Sequence, residues 1–139
     1  MIIQGEQVYY AEEYRKLLSQ AQVAHDGFLI INTPEDIEKF KKVFSKFAGL
    51  KITSPQTDYW FDSQDLGNMP IIDMESVTDA TGMFKNAKAN ELKFRNCHPT
   101  IMTGMFNNAK VNKVEGLDTS KATTITDIFN SARINKRDD

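Results

Sequence analysis

A chain of 139 residues, 40% hydrophobic and 26% charged, has the composition of one folded domain able to bury about two-thirds of its unfolded surface, which excludes wholesale disorder. Its net charge of −2 lacks the strong basic excess of a nucleic-acid binder, and no stretch nears the roughly 20 apolar residues of a membrane span, so direct nucleic-acid or membrane partners are not expected. The single Cys97 rules out an internal disulfide and points to a reducing, cytoplasmic setting, and the first residues do not read as a signal peptide. Charge is unevenly spread: residues 1–76 hold 7 basic against 12 acidic side chains, a net −5, and residues 77–139 hold 10 against 7, a net +3.

In chain order, Val8–Ala24 reads as an amphipathic helix with Tyr10, Tyr14, Leu17, Leu18 and Ala21 on one side. Phe28–Ile31 is a short apolar strand. Thr33-Pro34-Glu35-Asp36 then signals a helix start, with Thr as N-cap, Pro in the first turn and acids at the positive end of the dipole. Ile37, Phe40, Val43, Phe44 and Phe47 give that helix an apolar face that ends near Gly49, and Leu50-Lys51-Ile52 forms a second strand. Residues 54–69, SPQTDYWFDSQDLGNM, interrupt the pattern: no helix is evident, and the segment carries three Asp and no Lys or Arg around Tyr59, Trp60 and Phe61.

The second half repeats itself. MFKNAKAN at Met83 returns as MFNNAKVN at Met105 and IFNSARIN at Ile128, which sets Phe84, Phe106 and Phe129 in register at intervals of 22 and 23. Apolar positions fall at i, i+3, i+4 and i+7, the stripe of a short amphipathic helix. Between the copies, Ile72-Asp73-Met74, Leu92–Arg95 and Val114–Asp118 alternate with period two, as short strands do. Strand centres at Ile30, Ile52, Ile72, Phe94 and Leu117 lie 22, 20, 22 and 23 residues apart. A strand-turn-helix unit this small cannot bury its own apolar face, so the units are expected to stack, with Phe, Met and Ala as a continuous core column. Asn90, Asn112 and Asn135, just past each helix, suit left-handed helix ends or turn-bonding side chains.

VTDATGMFKNAK, PTIMTGMFNNAK and LDTSKATTITDIFNSA resemble the LDTSxVTxMxxMFxxA unit of the BspA-like, mycoplasma-type leucine-rich-like repeats, over about Ile71–Asn135. The resemblance implies a solenoid scaffold for protein contacts. The expected fold is α/β: one domain, 1–139, in which 1–69 forms a helical α/β cap with irregular first rungs and 70–135 forms three repeats, making a short leucine-rich-repeat-like solenoid with a parallel sheet on one face and helices on the other.

Chemistry is sparse. His25-Asp26 lacks a marked nucleophile, and Cys97-His98 offers half a metal site in a chain with one Cys and two His. No catalytic residue, cofactor or metal is assigned, and Met83, Met102 and Met105 read as core. Two surfaces are candidates for a protein partner. On the exposed sheet face, Lys51, Asp73, Lys93, Arg95 and Asp118 line up, and Asp73, Arg95 and Asp118 are expected to form a ladder about 5 Å apart. In the acidic segment, Asp58, Tyr59, Trp60, Asp62 and Asp65 combine aromatic anchors with carboxylates. The preferred function is a non-catalytic, intracellular protein-binding module, which self-associates or binds a partner through the uncapped repeat end at Ile128, Phe129 and Ile134. Two rivals are a phage or mobile-element inhibitor that blocks a host nucleic-acid enzyme through its acidic half, and a small hydrolase assembled from Asp58, Asp62, His25, Cys97 and His98.

Overall fold

The computed structural model describes residue 12 and residues 14–138. It is an α/β structure built on one six-stranded sheet in which sequential strands are neighbours and all run parallel: β1 (Phe28–Ile31), β2 (Gly49–Ile52), β3 (Ile71–Asp73), β4 (Lys88–Cys97), β5 (Lys110–Leu117) and β6 (Arg133–Asp138). Residues 14–20 are helical (α1), and the rest of the expected first helix up to Tyr10 lies outside the described residues. The chain leaves α1 before Ala24 because residues 22–24 turn back along β1: Val23 bridges Leu29 in antiparallel fashion, and the Ile30 N–H donates to the Gln22 carbonyl at 2.9 Å. This strip covers the outer edge of β1, which would otherwise offer unpaired backbone.

α2 (Pro34–Phe40) starts at the capping box of Thr33 and Asp36, as its sequence predicts, but gives way to a 3-10 helix at Lys41–Lys46 rather than running to Gly49. Ile37, Phe40, Val43 and Phe44 are its buried face.

The sheet register places Leu29, Leu50, Ile72 and Phe94 in one inward column and Ile30, Lys51, Asp73 and Arg95 in one outward column. Three expected pairings shift. Ile30 stands beside Lys51 in the outward column, and Ile31, not Ile30, pairs with Ile52. Leu50, not Ile52, stands beside Ile72, two residues away on the same pleat face. Leu117 pairs with Cys97 and not Phe94, because the β4–β5 register slips between Lys93 and Cys97. The slip brings the Phe94 carbonyl against Gly116, where a Cβ would lie 2.2 Å from its oxygen.

The helices expected in the repeats are absent, and serial turns take their place. In the unit containing Phe84, the N–H groups of Met83, Lys85 and Ala87 close turns on Ala80, Gly82 and Phe84 at 3.0–3.2 Å, while those of Gly82, Phe84 and Asn86 donate at 2.8 Å to Thr103, Met105 and Asn107 of the next unit. Gly82 (φ 58°) and Asn86 (φ 59°) are left-handed, and this four-residue recurrence breaks the helical path and turns alternate N–H groups out toward the neighbour. Gly104, Phe106 and Asn108 donate likewise to Thr126, Ile128 and Asn130.

The segment that interrupts the sequence pattern proves to be a fourth copy. Tyr59, Phe61 and Ser63 donate to Thr81, Met83 and Lys85 at 2.8–3.0 Å, with left-handed φ at Tyr59 and Ser63. Phe61, Phe84, Phe106 and Phe129 consequently stack face to face at 5.1, 5.5 and 5.5 Å between ring centroids, with Phe94 from the sheet set edge-on against Phe84 and Phe106. Met83, Met102 and Met105 are fully buried beside this column. Asn90, Asn112 and Asn135 are not left-handed ends. They lie within β4, β5 and β6, and the side-chain amides bond between layers, Asn90 to Asn68 at 2.8 Å and Asn135 to Asn112 at 3.0 Å.

Candidate interaction surfaces

The outward sheet face gathers four of its five expected residues. Asp73 is 1% exposed. Its Oδ2 accepts from Arg95 Nε at 3.0 Å and Nη2 at 2.8 Å and has Lys51 Nζ at 4.0 Å, while its Oδ1 accepts from the Glu75 N–H at 3.0 Å. Burial alone would raise the Asp73 carboxyl, but the Glu75, Arg95 and Asn96 hydrogen bonds outweigh it and hold the group below the usual carboxylate range. Lys93 stands on the same face, 3.8 Å from the Glu91 carboxylate. Asp118 is the exception. The register slip carries it past Arg95, and its carboxylate is exposed and kept low chiefly by Ser120.

Arg95 takes its second carboxylate from the other end of the sheet: Nη2 lies 2.8 Å from Asp26, and the guanidinium packs 4.0 Å over the Phe28 ring. The Phe28 ring lies on Gly49, where a Cβ would meet it at 2.3 Å. Sequence gives no sign of this contact, since Asp26 and Arg95 are 69 positions apart.

The acidic layer faces two ways. Tyr59 is 49% exposed, lies over Gly82 and carries Lys85 6.0 Å above its ring. Asp58 is exposed, and partial desolvation with the nearby Asp79 charge raises its carboxyl. Asp65 is exposed, whereas Asp62 is half-buried and accepts from Ser63 Oγ at 2.9 Å. Trp60 packs against the core. The segment therefore splits into a structural pair, Trp60 and Phe61, and an outward set, Asp58, Tyr59 and Asp65.

A third surface is the outer side of the last layer. In each preceding layer the N–H groups two before, at and two after the stacked Phe donate forward. Among the described residues, those of Asp127, Phe129 and Ser131 have no acceptor. Ile125 is 50% exposed, Phe129 and Ile134 are half-buried, and Phe129, Ala132, Ile134 and Arg137 line an open cavity of about 400 Å³. The repeat spacing marks Phe129 and Ile134 here; the donor row becomes visible only once the turns replace helices.

His25 is exposed, and the neighbouring Asp26 carboxylate is engaged by Arg95. The Cys97 thiol is buried and pushed up to about 12, mainly by desolvation and then by the Asp118 charge, which leaves it protonated near neutrality. Among the described residues no group of three or more His, Cys, Asp or Glu is placed to hold a metal, and no helix is long and apolar enough to cross a membrane. No family model, curated protein or solved structure matches the chain.

Proposed function

We propose that the chain is a short solenoid of the leucine-rich-like kind and acts as a non-catalytic, cytoplasmic scaffold that binds a protein partner. The observation that carries this reading is the stack of turn layers on one parallel sheet, with Phe61, Phe84, Phe106 and Phe129 in a single column and the half-exposed Ile125 on its surface. The lone cysteine, a buried free thiol, supports the reducing setting.

The test is site-specific photo-crosslinking in the native cytosol, with a photoreactive side chain at Ile125 or, as control, at the exposed Ser45 beside the covered opposite end. A discrete protein adduct from position 125 alone is expected. Equal adducts from both positions, or none, would remove the reading, as would a hydrolytic activity abolished by Cys97→Ala or His98→Ala. The exposed Asp58 and Asp65 support a narrower variant in which the partner is a nucleic-acid enzyme with a basic groove. In that case binding falls steeply with salt and with Asp58→Asn.

A further inference from the structure

We infer that the cleft beside Tyr59 is a seat for a tyrosine side chain of a partner protein. The inference rests on the protein-binding role proposed above and names the chemistry that the partner presents. The fold holds its own precedent. Tyr59, Gly82 and Gly104 are the residues two before Phe61, Phe84 and Phe106 in successive turn layers. The Tyr59 ring reaches forward onto the backbone of Gly82, where a Cβ would stand 2.2 Å from its Cε1, so a residue without a side chain is what admits the ring. Gly104 repeats that place one 22-residue interval later, with the same left-handed φ of 58°. Here a Cβ would meet nothing nearer than Asn107 Cβ at 3.8 Å. The second place is bare because the residue that would reach onto it is Gly82. A cleft of about 170 Å³ results, with Tyr59 and Lys85 on one side of the Gly104 floor and Asp127 on the other.

The groups around the floor select the occupant. The Gly82 and Gly104 N–H groups already donate to Thr103 and Thr126 at 2.8 and 2.9 Å, so the floor offers a ring surface to lie on and no backbone donor to a strand. The Thr81 hydroxyl is spent on Asp79 at 2.6 Å, and the Asn107 carbonyl accepts from the Asn108 amide at 2.9 Å. The exposed Asp127 carboxylate has no hydrogen bond or ion pair among the described residues, which makes it an acceptor awaiting a donor. A phenol meets both ends at once, its ring beside Tyr59 and its hydroxyl donating to Asp127. A cationic side chain is disfavoured because Lys85 already stands 6.0 Å over the Tyr59 ring, and an anion would face Asp127. A second copy has no such ring to give among the described residues, since Tyr14 packs on the core and Tyr59 is committed to its own Gly82.

The probe is a peptide with both ends blocked, Gly-Gly-Tyr-Gly-Gly, titrated into the isotope-labelled 139-residue chain and followed by the amide signals of Thr103, Gly104 and Asn107. Saturable shifts at those amides are expected. Replacing the peptide's tyrosine by phenylalanine should lower affinity at least about five-fold, as should Asp127→Gly, and the two together should lose no more than either alone. Tyr59→Asn should weaken binding at least about three-fold by removing the neighbouring ring. Gly104→Asn, which places a side chain on the floor, should abolish it. Tyr59, Gly104 and Asp127 all have positive φ, and asparagine and glycine tolerate that conformation, so unchanged melting separates lost binding from lost folding. Any of four results overturns the proposal: no saturable shift, equal binding of the phenylalanine peptide, equal binding by Gly104→Asn, or tighter binding of methyl glucoside at the same amides. A protein adduct from position 125 combined with one of these outcomes would leave the scaffold reading standing and remove only the tyrosine seat.

Discussion

Arg95 is shared by two carboxylates that differ greatly in burial, and the difference decides what each contributes. The Asp26 arm is solvated and adds little to stability. The Asp73 arm is enclosed, so removing its charge leaves Arg95 and Lys51 around a neutral group; Asp73→Asn is expected to cost about 3 kcal/mol in urea unfolding at neutral pH. Because the folded Asp73 carboxyl lies below its unfolded value, its stabilisation is complete above the unfolded pKa and is lost as pH falls through the folded one. The gap between wild type and Asp73→Asn should therefore close as pH drops from about 5 toward 2. A gap that persists at the lowest pH would contradict the assignment. Gly49→Ala tests the neighbouring contact. The new methyl meets the Phe28 ring and, at 2.7 Å, the Ile71 carbonyl, for an expected loss of about 1–3 kcal/mol. In a Phe28→Ala background only the Ile71 collision remains, so the two losses should be less than additive. Lys51, Asp73, Lys93 and Arg95 were legible as one face from strand alternation alone. Asp118 was not, because the register slip at Gly116 depends on how β4 and β5 meet and leaves no local mark.

At the level of the element, the turn layers show how an apolar spacing can mislead. Turns closed by a three-residue hydrogen bond return side chains inward at nearly the intervals of a helix, so Ala80, Met83, Phe84 and Ala87 satisfy both templates. The letters that decide are Gly82 and Gly104 before each Phe and Asn86 and Asn108 after it, all left-handed. The first copy hides because Tyr59 and Ser63 fill those positions without advertising them. Asn86→Gly should be near neutral, whereas Asn86→Ala should cost about 1 kcal/mol by thermal unfolding, since only the alanine is penalised in this conformation. Far-UV circular dichroism should show strand and turn with a minor helical component from α1, α2 and the 3-10 helix. A helix-dominated spectrum would contradict the turn layers.

Across the whole molecule, the column of phenylalanines ties the layers into one core, and position along it should set the cost of truncation. Phe106 is fully buried between two rings and its loss to alanine should cost about 3–5 kcal/mol, whereas Phe129 has a ring on one side only and should cost about 1–2 kcal/mol in denaturant unfolding. Equal costs would mean that the stack is not the organising core. That column was plain in the sequence, because repetition survives any error about the path between repeats. The chain's direction of bonding was not, because donor polarity belongs to the backbone and not to the letters. Its consequence reaches beyond this one length. Since any interior unit meets acceptors ahead and donors behind, an in-frame duplication of one 22- or 23-residue period would slot into the pile with its bonds already matched, and both terminal faces would survive intact. The architecture is one that evolution can lengthen or shorten by whole modules while the surface at either extremity stays the same.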